Sequence, residues 1–164
     1  MSEGSDGRRD SRPAGNFSAA GDHDDDHEDS RDGGDTYSLF QRGLELLSRG
    51  SAAAAAQLLE RAAAAEPHSR SVLEALARAQ FDAGRYADAA GNFRRIVDAS
   101  PSDDYARFGL GLALARCGDP AGAAEHLALA VAMRPSLPHY TEALRGVRAT
   151  LAARDQLRLR DETD

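Results

Sequence analysis

The chain has one cysteine, Cys117, no tryptophan and no lysine among its 164 residues. A single cysteine excludes an internal disulfide framework and any cysteine-based metal cluster. Aromatic residues make up only 5%, so the 41% of apolar residues must build a core chiefly from Ala and Leu. No apolar run approaches the roughly 18 residues of a membrane span. The first residues, Met-Ser-Glu-Gly-Ser-Asp, are followed by no apolar stretch, so no secretory signal is expected and a cytoplasmic location is. All 20 basic residues are Arg and 33 residues are Ala, a bias expected of a GC-rich bacterial genome.

The formal net charge of −7 is unevenly placed. Residues 1–34 carry ten acids against four Arg, and Asp35 adds one more acid. From Thr36 onward 16 acids balance 16 Arg. The leading segment also holds Gly4, Gly7, Gly15, Gly21, Gly33, Gly34 and Pro13, and its one sizeable apolar side chain besides Met1 is Phe17. It cannot bury enough surface to offset its ordering entropy, so residues 1–34 are expected to form a disordered acidic tail. Within it, His23-Asp24-Asp25-Asp26-His27-Glu28-Asp29 has metal-ligand side chains but no fixed geometry, and is read as solvated.

What is present in the body is a 34-residue period. Pro67, Pro101 and Pro135 keep this step, as do Gly50, Gly84 and Gly118. So do the small residues Ala55, Ala89 and Ala123, and Gly43, Ala77 and Gly111. Leu59, Phe93 and Leu127 form a fourth series, and Ala62, Ile96 and Ala130 a fifth. Self-similarity of this length marks a repeat array. In the second copy Leu73, Leu76, Ala79 and Gln80 trace one helical face up to Gly84. Tyr86, Ala89, Ala90, Phe93, Ile96 and Val97 trace the next, which Ser100-Pro101 ends. Each copy therefore reads as two helices joined by a tight turn at Gly. Asp119 before Pro120 reads as an N-cap, and Asp35 or Thr36 can cap the first helix. The small residues are expected where paired helices cross.

These residues resemble the tetratricopeptide repeat (TPR) family. The second copy carries the resemblance best, with Leu73, Leu76-Ala77, Gly84, Tyr86, Ala89, Phe93, Ile96 and Pro101. The first copy departs at Arg42, where the pattern has Leu, and the third departs at Arg107 and Pro120. The resemblance implies an all-α fold: a right-handed α-solenoid of three TPR helix pairs plus a C-terminal capping helix. The expected boundaries are repeats over 36–69, 70–103 and 104–137 within 35–137, a capping helix over 138–158, and a frayed C-terminus over 159–164. The capping helix carries Tyr140, Ala143, Leu144, Val147 and Leu151, and its basic end suits a helix C-terminus.

The resemblance also implies a protein-binding scaffold whose concave groove is lined by the first helix of each pair. The positions that carry over are Tyr37, Phe40, Leu44 and Leu47 in the first copy. The second copy contributes Ser71, Glu74, Arg78, Phe81 and Asp82, and the third Tyr105, Phe108, Leu112 and Arg116. A TPR subclass that clamps a C-terminal carboxylate has Lys or another residue where Phe40 and Phe108 stand here, and Asn where Leu44 stands, so that clamp is not expected. An apolar, aromatic-lined groove with Arg78 and Arg116 suits an amphipathic helix or an extended peptide of an unidentified protein. The aromatics Tyr37, Phe40, Phe81, Tyr105 and Phe108 can equally serve as packing between repeats. The groove can also be buried in a homo-oligomer of a self-associating structural protein, or be met by the tail through Phe17.

No catalytic set, phosphate loop or metal motif stands out, and neither enzyme activity nor a cofactor, metal, nucleic acid or membrane partner is expected. The five His, at 23, 27, 68, 126 and 139, are read as solvated or capping. Cys117, at a helix end before Gly118, is expected to be a buried or half-buried structural thiol.

Overall fold

The computed structural model describes residues 26–163, with side chains from Gly33 onward. Seven helices and no strand make up the described residues. They are α1 (Asp26–Ser48), α2 (Ala52–Ala65), α3 (Arg70–Asp82), α4 (Tyr86–Ala99), α5 (Asp104–Arg116), α6 (Pro120–Met133) and α7 (Pro138–Asp161). Successive helices pack as antiparallel neighbours, the helix pairs expected of the 34-residue period.

Two local structures generate that period. At the ends of α1, α3 and α5 a glycine enters the left-handed region, with φ of +78° at Gly50, +78° at Gly84 and +86° at Gly118. The residue after it donates five positions back, as in Ser51 N to Leu46 O, Arg85 N to Gln80 O and Asp119 N to Leu114 O. This is the Schellman closure, and a Cβ would strain it. At the end of α2, α4 and α6 the chain makes a hydrogen-bonded turn. Ser69 N bonds Glu66 O, Asp103 N bonds Ser100 O and Leu137 N bonds Arg134 O. Pro67, Pro101 and Pro135 occupy the second position of these turns, where a fixed φ near −65° is already correct.

The crossing positions are held by small residues. Gly43 faces Leu59, whose Cγ lies 2.6 Å from where a Cβ would stand, and Gly111 faces Leu127 Cγ at 2.6 Å. Ala55, Ala77, Ala89 and Ala123 are fully buried at the corresponding points. Between repeats, Gly109 of α5 admits the ring of Phe93 from α4, which approaches a would-be Cβ to 2.5 Å. One period earlier the equivalent pair is Leu59 and Ala75, in one buried cluster; one period later it is Leu127 and Ala143. The larger ring is matched by the smaller partner.

Polar residues lock these contacts. The Asp103 carboxylate caps α5 by accepting from Ala106 N at 3.0 Å and takes Arg70 Nε of α3 at 2.6 Å. Burial works against its ionisation, but these hydrogen bonds outweigh it and hold its carboxyl below the usual carboxylate range. Asp119 caps α6 as expected, accepting from Gly122 N at 2.9 Å. Arg107 points along the helix ends, donating to Pro101 O at 2.6 Å and lying 3.4 Å from His126 Nδ1. One repeat earlier, Pro67 O receives its bond from Arg95 of α4 instead.

Both ends of the array differ from its middle. The α1 residues equivalent to buried Ala106, Gly109, Leu110 and Ala113 of α5 are Ser38, Gln41, Arg42 and Glu45, all exposed. Arg42 departs from the repeat pattern where no helix among the described residues covers that face of α1. At the other end Arg145 and Arg148 stand in α7 where α5 has Gly111 and Leu114, and both are exposed. Polar outer faces are what terminal repeats require.

Four expectations need correction. The helix α1 starts at Asp26, so residues 26–34 are helical rather than part of a tail, and neither Asp35 nor Thr36 is its cap. Acids at its start suit the positive end of a helix dipole. The expected disorder of residues 1–25 lies outside the described residues. The last helix runs to Asp161 rather than 158, with Arg158 and Arg160 favouring its C-terminal turn. Cys117 is exposed rather than buried or half-buried, standing as the C-cap of α5.

Candidate functional site

Contacts between non-adjacent helices fix which face is inner. Helix α1 touches α3, α3 touches α5 and α5 touches α7, whereas α2 does not reach α4 and α4 does not reach α6. An array whose odd helices meet while its even helices splay is curved, with α1, α3 and α5 along the inside.

Two cavities open on that inner face. The first, about 150 Å³, lies between α1 and α3 and is lined by Phe40, Leu44, Leu47, Ser71, Glu74 and Arg78 among others. The second, about 180 Å³, lies between α3 and α5 and is lined by Arg78, Phe81, Asp82, Tyr105, Phe108 and Leu112, with Phe93 and Gly109 at its floor. Arg78 borders both. Eleven of the positions singled out in the sequence therefore come together in two adjoining hollows.

The individual placements differ. Tyr37 is 65% exposed and lines neither hollow. Leu47 is 8% exposed and belongs mainly to the core between α1 and α2. Phe40, Phe81 and Tyr105 are half-buried, each packed on a core cluster while bordering a hollow. Phe108 stacks on Tyr140 of α7, with ring centroids 4.4 Å apart, and meets His139 edge-on at 5.3 Å. Arg116 lies outside both hollows: its guanidinium rests 5.4 Å from the Tyr86 ring centre and 5.9 Å from that of Phe81.

The charges in the groove are unequally engaged. Arg70 meets Glu74 at 2.9 Å and Asp103 at 2.6 Å. Burial pushes the Tyr105 hydroxyl up, with Glu74 and Asp82 adding to the shift and Arg78 opposing it. Sequence reasoning missed Ala75 and Gly109 as lining, although both belong to one 34-residue series of small residues. It placed Tyr140 on the capping helix but not in contact with α5, where the side chain is 1% exposed and its hydroxyl donates to Asp104 Oδ2 at 2.9 Å.

A larger hollow of about 380 Å³ lies off the groove, over Leu73 and Ile96 with Pro67, His68 and Arg95 at its rim. Among the described residues no group of three or more His, Cys, Asp or Glu could hold a metal ion. No described helix is long and apolar enough to cross a membrane.

Several solved structures share this architecture. One is the first TPR of Spaghetti (RPAP3) bound to the HSP90 peptide SRMEEVD, 19% identical, covering 72% of this chain and 94% of that one at a TM-score of 0.67. Another is the Sgt2 TPR domain from Aspergillus fumigatus, 20% identical over 74% of this chain and 82% of that one, at 0.67. A third is MamA from Desulfovibrio magneticus RS-1, 21% identical over 72% of this chain and 67% of that one, at 0.69. A search of curated proteins gives no match. The tetratricopeptide repeat family model matches residues 40–104 and again 74–138, and the chain belongs to the tetratricopeptide repeat family.

Proposed function

We propose that this protein is a protein-interaction adaptor that takes a partner helix or extended peptide in the groove formed by α1, α3 and α5. The observation that carries the reading is the pair of adjoining hollows on the inner face, each rimmed by half-buried apolar side chains. Aromatic residues in such hollows provide contact area at small entropic cost and are common binding hot spots. The peptide bound by the RPAP3 domain adds support, since that protein has the same fold.

The test is positional. A photo-crosslinking amino acid is placed at Ser71 in the groove, and separately at Arg61 on α2 and Arg94 on α4. All three positions are exposed, so the core is untouched. A partner that crosslinks through position 71 but not through 61 or 94 is the expected result. Equal labelling at all three, or labelling only at the outer positions, removes the groove from the function.

A further inference from the structure

The groove carries a charge pattern that its own residues do not satisfy. Of the Arg side chains near it, Arg70 is held by two carboxylates and Arg116 rests on two aromatic rings. Arg78 is different. It is exposed, borders both hollows, and makes no hydrogen bond or ion pair with any described residue. Asp82, one helical turn further along α3, is likewise exposed and without such a bond, and lines only the second hollow. The two do not pair with each other, in keeping with the weaker ion pair formed when the basic residue precedes the acid in a helix. Glu74, the remaining acid at the first hollow, is engaged with Arg70.

From this pattern we infer, resting on the groove reading above, that the partner segment carries a side-chain carboxylate between two large apolar residues. The first apolar residue enters the hollow between α1 and α3, the carboxylate meets Arg78 on the ridge, and the second enters the hollow between α3 and α5. A basic residue beside the second anchor meets Asp82. The portions of α3 lining the two hollows are centred some six residues apart, or roughly 9 Å along the helix. The hollows also lie on opposite flanks of α3, so the anchors stand at least this far apart, about three or more residues in an extended segment and about six or more in a helix. Charge complementarity fixes the direction in which the segment lies, because reversing it leaves the acid at Arg78 but carries the base to the first hollow, away from Asp82 and beside Arg70.

The experiment selects randomised peptides displayed on phage against the immobilised full chain, and again against Arg78→Glu, Arg78→Gln and Asp82→Arg. All three substitutions are at exposed positions, and far-UV circular dichroism checks that each variant keeps its helices. The expected wild-type consensus has an acid between two large apolar residues and a base beside one of them. Its peptides should bind Arg78→Gln roughly tenfold more weakly. Selection on Arg78→Glu should turn the central residue basic, and selection on Asp82→Arg should turn the flanking residue acidic. Peptides that crosslink through position 71 but show no charge preference, or the same one on Arg78→Glu, overturn this inference and leave the groove reading standing. Enrichment of no peptide, or of peptides that do not crosslink there, overturns both. If a synthetic peptide of residues 10–29 competes with the selected peptides, the occupant is the chain's own acidic segment around Phe17 and not a separate partner. A concentration-dependent dimer that blocks peptide binding likewise replaces the partner with a second copy.

Discussion

Replacing Gly109 by Ala sets two effects of comparable size against each other. Removing a glycine from a helix interior favours folding by about 1 kcal/mol. Against this, the new methyl would lie 2.5, 2.6 and 2.7 Å from three carbons of the Phe93 ring. Carbon atoms in contact prefer about 3.5–4.0 Å, so ring or helix must retreat by about 1 Å. The ring has little room, being 3% exposed and set edge-on to Tyr105 at 6.4 Å. Overpacking of this kind costs about 1–3 kcal/mol, so Gly109→Ala should leave a net loss of up to about 2 kcal/mol. Phe93→Leu alone should also destabilise, by about 1–2 kcal/mol, through the space it leaves. The double variant recreates the Leu59–Ala75 pairing of the preceding repeat, so the two losses should not add. A favourable coupling of about 2 kcal/mol is expected from urea unfolding followed by far-UV circular dichroism. Additive losses, or a Gly109→Ala protein stabilised by the full helix-propensity gain, would refute the idea that these two positions were fitted to each other.

Other outcomes follow from single contacts. Gly84→Ala places a Cβ in the left-handed region and should lower stability by about 1–2 kcal/mol in the same assay, although no neighbour crowds it. Tyr140→Phe removes the hydroxyl held by Asp104 and should lower it by about 1–2 kcal/mol, with no change in helix content by circular dichroism. Burial, with Arg107 and Arg94 adding to it, holds the His126 imidazole below its ordinary pKa, so the unfolded chain binds its proton more readily. Stability should therefore fall as the pH drops from about 6.5 through the lowered value, and His126→Gln should flatten that part of a urea-midpoint profile. Cys117 is exposed, so one equivalent of Ellman's reagent should react with the native protein without denaturant; a thiol that waits for urea would contradict its placement at the surface.

The repeating parts were legible because the same local problem is solved three times. A left-handed closure needs Gly at 50, 84 and 118, and a turn with preset φ accepts Pro at 67, 101 and 135, so both appear as a period. The groove positions came through the family resemblance, and Arg78, Phe81, Tyr105 and Leu112 line the hollow between α3 and α5. What escaped depends on the neighbouring repeat rather than on phase. Arg116 is long enough to turn away onto Tyr86, and only the position of α4 decides that it does. Cys117 looked internal because it follows an apolar helix, yet a C-cap side chain is covered only if the next helix returns over it, and α6 does not. Tyr140 stands one period after the small, buried Ala106, and its size makes sense only where α7 must fill the end of the array against Phe108.

The fit of Phe93 into Gly109 joins residues on opposite sides of the boundary at which one repeat is drawn to end. A duplication of residues 70–103 would bring the first copy's Phe93 against Ala75 of the second, where a methyl already occupies the space. Duplicating residues 76–109 instead sends each Phe93 to its own Gly109. The unit by which this array can be lengthened is therefore offset by six residues from the helix pair that the eye picks out. A longer groove built in that frame would keep its junctions intact.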